Sequence, residues 1–322
     1  MAEENIRVPV YLITGFLESG KTTFLNKVVR QRYFQIPEFT QIISCEAGEA
    51  EYDERELTRY RTLLKETEDA EELTFEYLQQ IEEEVHPARV MVELNPLWGV
   101  QKFREMRLPE GWGVVQQVVT VDAGTYGVYR TNMKSLFVEM FRQADLVIFN
   151  RCTDDMALAD FRRGIKVTNP ACEVAFEDTD GEMIDLFEDS VPYDLEADVI
   201  KIEDVDYGIF YVDLRDHPER YDGKTVCFRG KVQKTRAMGG KYFALGWNAM
   251  TCCADDIQFI GYLCHTNHAK SSTIKSLKNK MWIHLTAEIK KEYNDSYKEE
   301  GPVLYAKRIE AAEMPDEELV YF

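Results

Sequence analysis

The first half of the chain alternates between continuous apolar runs and amphipathic segments. Continuous apolar runs are typical of parallel strands buried on both faces, and apolar residues at helical spacing are typical of helices packed on a sheet. The apolar runs lie at 8–13, 40–44, 88–93, 114–121 and 145–149, and the helical segments at 23–30, 53–65, 69–85, 133–143 and 155–167. A short edge strand at 171–176 and a short helix at 180–188 follow. The alternation predicts βαβ units, and therefore an α/β fold with a mainly parallel sheet.

The pattern changes after residue 190. An acidic stretch without a clear period, 191–206, is interpreted as a linker. Short alternating runs separated by turn signals then follow, at 210–214, 225–232, 241–245, 258–263, 282–287 and 303–305. They predict a small antiparallel β domain of the OB-like barrel type. We therefore expect two domains, 1–190 and 207–322, joined by the linker 191–206.

Composition and charge exclude several classes of function and partner. The chain has 322 residues, of which 45% are hydrophobic and 12% aromatic, as in folded proteins. Its formal net charge of −20 argues against a nucleic-acid partner and against an anionic membrane surface. The chain has no apolar run of spanning length and no secretory signal, so we expect a cytoplasmic protein without membrane insertion. The seven cysteines are odd in number and scattered, which favours metal binding or burial over a disulfide framework.

The segment 15–23 connects the first predicted strand to the first predicted helix and spells G-x-x-x-x-G-K-T-T, the phosphate-binding P-loop. Gly15 and Gly20 let the backbone curl so that successive N–H groups point at one phosphate. Lys21 is expected to reach the β- and γ-phosphates, and the Thr22 hydroxyl to ligate Mg²⁺. The alternative is a chance glycine turn, which the strand and helix on either side disfavour.

Two further strand ends bear on nucleotide chemistry. Glu93 closes the strand 88–93 and can bind the metal through water or orient the attacking water, although an ordinary acidic residue at a strand end is the alternative. Asn150 begins a segment at the place of the guanine-reading N-K-x-D motif, but Thr153 replaces the aspartate and Asp154 lies one residue too late. The predicted catalytic residues are Lys21 and Glu93. The predicted nucleotide-binding residues are Gly15, Glu18, Ser19, Gly20, Lys21, Thr22, Thr23 and Asn150.

Residues 8–175 resemble the P-loop domain of the CobW-type metallochaperone GTPases. Segment 15–26 is close to that family's G-F-L-G-A-G-K-T-T-L-L-N, and segment 45–49 resembles its N-E-F-G-E. The resemblance implies a GTPase that binds GTP and Mg²⁺ and uses hydrolysis to deliver a divalent metal, often zinc or cobalt. It also implies that Glu46 and Glu49 lie near Thr22 and the metal, in a switch that couples nucleotide state to metal or partner binding.

The sequence departs from that family at three places. The metal motif C-x-C-C, expected between Asp53 and Ala88, is absent. The E-T-S-G expected at the end of the strand 88–93 is Glu-Leu-Asn-Pro at 93–96, and the N-K-x-D is degraded at 150–153. Nucleotide binding tolerates these losses, whereas metal delivery by the family's usual route does not.

A second cluster of metal-ligand residue types lies in the C-terminal domain. Its members are Cys252, Cys253, Asp255, Asp256, Cys264, His265 and His268. Thiolates, imidazoles and carboxylates form Zn²⁺ sites, but adjacent cysteines on a strand point to opposite faces unless the backbone turns there. The alternative is two buried small residues and a loop histidine. We take Cys252, Cys253 and Asp255 as the candidate metal ligands.

Residues 207–312 are similar to the C-terminal domain of an uncharacterised family of proteins associated with metal permeases. The shared features are a G-K-x-V strand at 223–226 and a C-C-x-x-D core that begins at Cys252. This resemblance suggests that the metal-handling cysteines have moved from the P-loop domain to the appended domain.

These observations predict a GTP-hydrolysing, metallochaperone-like protein with GTP, Mg²⁺ and Zn²⁺ as its cofactors. The alternative is a nucleotide-binding regulatory or adaptor subunit of a metal permease with little turnover. The expected partners are a metal-receiving protein or a permease subunit, and the sequence leaves a homo-oligomer open. A nucleic-acid-binding OB barrel is disfavoured because the whole chain is acidic.

Overall fold

The computed structural model describes residues 6–46, 48, 50–184, 191–235, 238, 242–250, 257–266, 277–294, 299–315 and 318–320. The chain divides into two units, Met1–Asp185 and Leu186–Phe322. In the described part of the chain, no helix has the length and apolarity needed to cross a membrane.

The first unit is built on a seven-stranded parallel sheet. Its strands are β1 (Val8–Thr14), β2 (Thr40–Ser44), β3 (Thr62–Glu66), β4 (Arg89–Leu94), β5 (Trp112–Asp122), β6 (Leu146–Cys152) and β7 (Glu173–Asp178). They lie in the order β3-β2-β4-β1-β5-β6-β7. Strands β2 and β4 are buried at every residue, which explains their continuous apolar sequence. The predicted α/β fold with a parallel sheet is confirmed.

Seven α-helices accompany this sheet in the described residues: α1 (Lys21–Val29), α2 (Glu54–Arg59), α3 (Phe75–Val85), α4 (Val100–Glu105), α5 (Ala123–Asn132), α6 (Lys134–Arg142) and α7 (Leu158–Thr168). Side-chain caps begin several of them. Asp53 accepts hydrogen bonds from the backbone N–H groups of Arg55 and Glu56 at α2, and Asp122 accepts from Gly124 and Thr125 at α5. Because Asp122 is also the last residue of β5, this cap sets the direction in which the chain leaves the sheet.

The core of this unit holds helix α1 against the sheet. Leu25 and Val29 of α1 are buried beside residues of the central strands. The cluster consists of Ile13, Leu25, Val29, Ile42, Leu57, Met91, Val118 and Ile148. Burial of such side chains stabilises the fold by about 1.5–3 kcal/mol each. The start of α1 is therefore fixed relative to the carboxyl ends of the strands.

The structure differs from the predicted helix at 53–65. Helix α2 ends at Arg59, and Arg61 adopts a positive φ of 51°, which turns the chain back. The chain then forms β3, which pairs in parallel with β2. This edge strand has only two apolar residues, and charged residues surround it, so the sequence shows no strand pattern there. The prediction at 69–85 starts too early, because Thr74 caps α3 and the helix begins at Phe75.

The predicted short helix at 180–188 is partly tested. Met183 forms an isolated antiparallel bridge with Glu177, so the first part of this segment folds back on β7. Residues 185–188 lie outside the described residues.

The second unit is a mainly antiparallel barrel. Its elements are β8 (Ile200–Lys201), α8 (Tyr207–Asp216), β9 (Thr225–Gln233), β10 (Tyr242–Met250), β11 (Ile257–His265), β12 (Trp282–Asn294), β13 (Glu299–Ala311) and β14 (Leu319–Val320). The strands lie in the order β14-β10-β11-β13-β12-β9-β8, and an additional β10–β9 pairing closes the sheet on itself. A closed circle of five strands results, β9-β10-β11-β13-β12. This arrangement confirms the predicted second β domain and agrees with an OB-like barrel.

Two segments of the second unit differ from their predictions. Segment 210–214, expected as a strand, belongs to α8, because Tyr207, Phe210 and Leu214 are buried at helical spacing and form one apolar face. Segment 191–206, expected as a linker, contributes β8 to the second sheet, where Ile200 is fully buried. The short length of β8 gave the sequence no alternating pattern.

Candidate nucleotide-binding site

The loop between β1 and α1 has the conformation that its glycines predict. Gly15 has a φ of 150° and Gly20 a φ of 93°, values that side chains rarely allow. A Cβ atom on Gly15 would lie 2.3 Å from the carbonyl oxygen of Thr120. Ser19 is held against the same residue by a 2.9 Å hydrogen bond between the hydroxyls. The loop is therefore packed onto the end of β5, with the N-terminus of α1 behind it.

Lys21 lies at the centre of the loop, and its side chain is only 3% exposed. Its Nζ donates hydrogen bonds to the carbonyl oxygens of Gly15 and Phe16 at 2.7 and 2.8 Å. The same Nζ lies 2.5 Å from Oε2 of Glu46, whose side chain is 10% exposed. The three protons of the ammonium group thus have three oxygen partners. The structure brings together two residues predicted to act at this site, and it pairs Glu46 with Lys21 rather than with Thr22.

Glu93 receives three hydroxyl donors. Its Oε1 accepts from Thr22 Oγ1 at 2.6 Å, and its Oε2 accepts from Tyr52 OH at 2.6 Å and from Ser44 Oγ at 3.0 Å. Only 2% of Glu93 is exposed. Burial, followed by the charge of Glu93, raises the pKa of Tyr52 far above its usual value, so this phenol stays a proton donor. Glu93 is thus in hydrogen-bond contact with Thr22, the residue predicted to ligate Mg²⁺.

Sequence reasoning missed the other two donors to Glu93. Ser44 is the last residue of β2, and its place at the carboxyl end of a parallel strand was a usable signal. Tyr52 lies in the loop that follows, and nothing in its sequence surroundings marks it.

Cys45 lies beside these carboxylates and is fully buried. Burial, with the charges of Glu93 and Glu46 as lesser causes, raises the pKa of its thiol to about 12. Its backbone N–H donates to the carbonyl oxygen of Glu93 at 2.9 Å. Burial therefore favours the neutral thiol of Cys45 over the thiolate, which is the form that binds metals and acts as a nucleophile.

The last residues of β6 hold the loop between β1 and α1 in place. Asn150 Nδ2 donates to the carbonyl oxygen of Ser19 at 2.7 Å. Arg151, at a positive φ of 55°, donates to the carbonyl oxygen of Glu18 at 3.0 Å and forms an ion pair with Asp122. The predicted base-reading Asn150 therefore lies against the loop. Arg151 was not predicted, although it occupies the lysine position of the degraded motif.

Two adjoining cavities are lined in part by residues of this loop. The first, of about 230 Å³, is lined by Leu17, Glu18, Gly20, Lys21, Thr22, Thr23, Glu46, Gly48, Ala50, Glu93 and Arg151. The second, of about 210 Å³, is lined by Gly20, Thr23, Phe24, Lys27, Thr120, Ile148, Asn150, Arg151 and residues 177–181. The cavities share Gly20, Thr23 and Arg151. All of the predicted nucleotide-binding residues except Gly15 and Ser19 line one of the two cavities. Gly15 and Ser19 instead pack the loop against Thr120.

The remaining metal candidates are placed only in part. Glu49, Cys252, Cys253 and Asp255 lie outside the described residues. Cys264 of β11 is fully buried, and burial raises the pKa of its thiol, which disfavours the thiolate that a metal needs. Within the described ranges, no group of three or more histidine, cysteine, aspartate or glutamate side chains is placed to hold a metal ion.

Solved structures with related folds have low identity to this chain. HypB from Archaeoglobus fulgidus is 16% identical, with a TM-score of 0.37, and the match covers 55% of this chain and 84% of that one. The Zn(II)-bound YjiA GTPase from E. coli is 16% identical, with a TM-score of 0.40 and coverage of 72% and 76%. HypB from Helicobacter pylori in complex with nickel is 13% identical, with a TM-score of 0.37 and coverage of 55% and 81%. No curated protein matches the chain.

Family assignment rests on the sequence itself. Residues 182–322 match the model of the DUF1980 C-terminal domain. Residues 9–175 match the model of the CobW/HypB/UreG nucleotide-binding domain. The resemblances seen in both halves of the sequence are thereby confirmed. Because the second match spans more than half of the chain, this protein belongs to the CobW/HypB/UreG family.

Proposed function

We propose that this chain binds GTP with Mg²⁺ in the cavity at Lys21, hydrolyses the nucleotide and couples its state to the handling of a divalent metal. The observation that carries the proposal is the pair of contacts Lys21–Glu46 and Thr22–Glu93 in one cavity beside the P-loop. A buried ammonium group that already holds an anionic oxygen is suited to phosphate oxygens. The dipole of α1 adds to the same attraction.

The residues around Thr22 fit Mg²⁺. A hydroxyl and a buried carboxylate 2.6 Å apart supply the oxygen donors that this ion prefers, one directly and one through water. Bound Mg²⁺ neutralises the charge that develops on the transferred phosphoryl group. The protein's own part is positioning: Ser44 and Tyr52 fix the Glu93 carboxylate, and Lys21 holds the phosphates in line.

Glu46 is proposed as the element that senses the nucleotide. Its carboxylate occupies the side of Lys21 that the phosphates need, so GTP has to displace it. Glu46 lies two residues after the end of β2, and the chain then runs through Tyr52 to the cap of α2 at Asp53. Displacement of Glu46 therefore moves the segment that carries Tyr52, whose hydroxyl donates to Glu93. This gives the chain a physical connection between phosphate binding and a surface loop.

Replacing Glu46 by glutamine is expected to raise GTP affinity by about tenfold, because the competing negative charge is removed. Isothermal titration calorimetry of GTP in Mg²⁺ buffer measures it. Glu54→Gln, an exposed residue in the first turn of α2, is the matched control and should leave the affinity unchanged. A lower affinity in Glu46→Gln would show instead that Glu46 holds the metal ion, as the family resemblance suggested.

We further propose that the metal handled by this protein binds at Cys252 and Cys253. Support comes from the residue types and from the absence of C-x-C-C in the first unit's sequence. Zinc and nickel appear in the names of the solved YjiA and HypB structures, which makes a divalent transition metal a reasonable cargo here.

Elemental analysis of the purified protein tests this assignment. The wild type is expected to retain zinc or cobalt after dialysis, and Cys252→Ser/Cys253→Ser to lose it. Cys227→Ser is the control, since that cysteine lies on β9 within the barrel sheet. An unchanged metal content in the double variant would refute the site.

A second candidate function is a nucleotide-binding adaptor subunit of a metal permease with little turnover. The departures at 93–96 and 150–153 favour it, because they affect the backbone that senses the γ-phosphate and the base-reading motif. The two candidates differ in the release of phosphate, which the adaptor does not need.

A further inference from the structure

The second cavity adjoins the first at Gly20, Thr23 and Arg151, on the side of the loop away from Glu93. A nucleotide whose phosphates lie at Lys21 has room for its base in this second cavity. One wall contains Asn150, whose Oδ1 is buried and has no hydrogen-bond partner among the described residues. A buried polar atom without a partner costs stability, and a polar ligand would satisfy it.

The residues at the usual base-reading place do not face this cavity. Thr153 and Asp154 are exposed and do not line it. The hydroxyl of Thr153 donates to Asp155 at 2.5 Å, within its own turn. Neither side chain is therefore placed to accept hydrogen bonds from a base in the cavity.

Another wall is formed by the end of β7 and the turn after it, residues 177–181, which carry three carboxylates. Two of them already hold the loop. Glu177 pairs with Lys27 Nζ at 3.1 Å, and the same Nζ donates to the carbonyl oxygen of Gly181 at 2.8 Å. Asp178 Oδ1 accepts from the backbone N–H groups of Asp180 and Glu182 at 2.8 and 2.9 Å.

The side chain of Asp180, in contrast, does not hold the loop. Its backbone is fixed by Asp178, while its side chain is exposed and makes no hydrogen bond or ion pair with the described residues. It is thus the carboxylate of this wall that has both oxygens available to a ligand.

We propose that the base of the nucleotide lies in this cavity and that Asp180 reads guanine there, in place of the carboxylate lost at Thr153. The inference rests on the proposed GTP binding. Guanine presents two neighbouring donors, N1–H and the 2-amino group, which match the two oxygens of one carboxylate. Adenine presents a donor beside an acceptor, so it leaves one carboxylate oxygen without a proton. The site therefore selects GTP over ATP.

The test changes the hydrogen-bond pattern of the base and, separately, that of residue 180. Xanthosine triphosphate carries a carbonyl where guanine carries the 2-amino group, and asparagine offers an acceptor and a donor in place of two acceptors. Wild type should bind GTP at least about tenfold more tightly than xanthosine triphosphate, and Asp180→Asn should reverse the preference. Equilibrium titration of both nucleotides with the full chain measures it.

Asp154→Asn and Asp178→Asn are the matched variants. Both should keep the preference for GTP, the second because asparagine still offers the Oδ1 acceptor that holds the loop. An unchanged preference in Asp180→Asn, or a reversal in Asp154→Asn, would overturn the assignment. A gain of affinity for xanthosine triphosphate cannot arise from misfolding. If wild type binds neither nucleotide, the proposed function itself fails, an outcome distinct from a failure of Asp180 alone.

Discussion

Replacing Lys21 by alanine should lower the affinity for GTP by about a hundredfold or more. Charge-assisted hydrogen bonds contribute about 1.5–3 kcal/mol each, and the ammonium group of Lys21 is placed to make them with two phosphates. Only 3% of its side chain is exposed, and hydrogen bonds to the carbonyl oxygens of Gly15 and Phe16 hold the ammonium group in place. Titration of wild type and Lys21→Ala with GTP in the presence of Mg²⁺ measures the effect.

The control for this variant has to separate binding from folding. Without Lys21, the nearly buried carboxylate of Glu46 loses its partner, and an unpaired buried charge costs about 3–5 kcal/mol. The double variant Lys21→Ala/Glu46→Gln removes that charge and should recover the melting temperature but not the GTP affinity. Lys65→Ala, which removes a partly exposed lysine of β3 that pairs with Glu84, should bind GTP as wild type does. Wild-type affinity in Lys21→Ala would contradict the proposed site.

Replacing Glu93 by glutamine should lower kcat by about a hundredfold or more and change KM by less than about threefold. The carboxylate is held by three hydroxyl donors in a buried place, so its charge is preorganised beside Thr22. Glutamine keeps the size of the side chain and one acceptor but loses the charge that a metal-bound water needs. Steady-state phosphate release at several GTP concentrations separates the two parameters.

Glu76→Gln is the matched control, because that residue is exposed in the first turn of α3 and lines neither cavity. Equal losses in the affinity for GTP and in kcat for Glu93→Gln would place this residue in nucleotide binding rather than in the reaction. An unchanged kcat would remove it from the catalytic account.

The P-loop was predictable because each part of it is local. Glycine at positions 15 and 20 predicts the positive φ angles that the loop adopts there. The apolar run before the loop predicts β1. The carboxyl ends of parallel strands then had to meet, which brought Glu93 close to Thr22. These inferences need only the short-range pattern and the parallel topology.

Other contacts depend on the path of a loop, which the pattern does not define. The ion pair of Lys21 with Glu46 follows from how the chain leaves β2, and Tyr52 reaches Glu93 because Asp53 caps α2 at that point. The sequence predicts a strand in place of α8 because Phe210, Val212 and Leu214 also alternate. The buried Tyr207 that completes the helical face lies just before them. Tertiary packing decided between two periods that the sequence allowed.

The measurement that tests the central claim most directly is multiple-turnover release of phosphate from GTP by the full chain in Mg²⁺, with and without added Zn²⁺. The account predicts more than one phosphate released per chain and no release by Lys21→Ala. Tight binding of GTP by the wild type without phosphate release under either metal condition would contradict it, and would leave the protein as a nucleotide-binding adaptor.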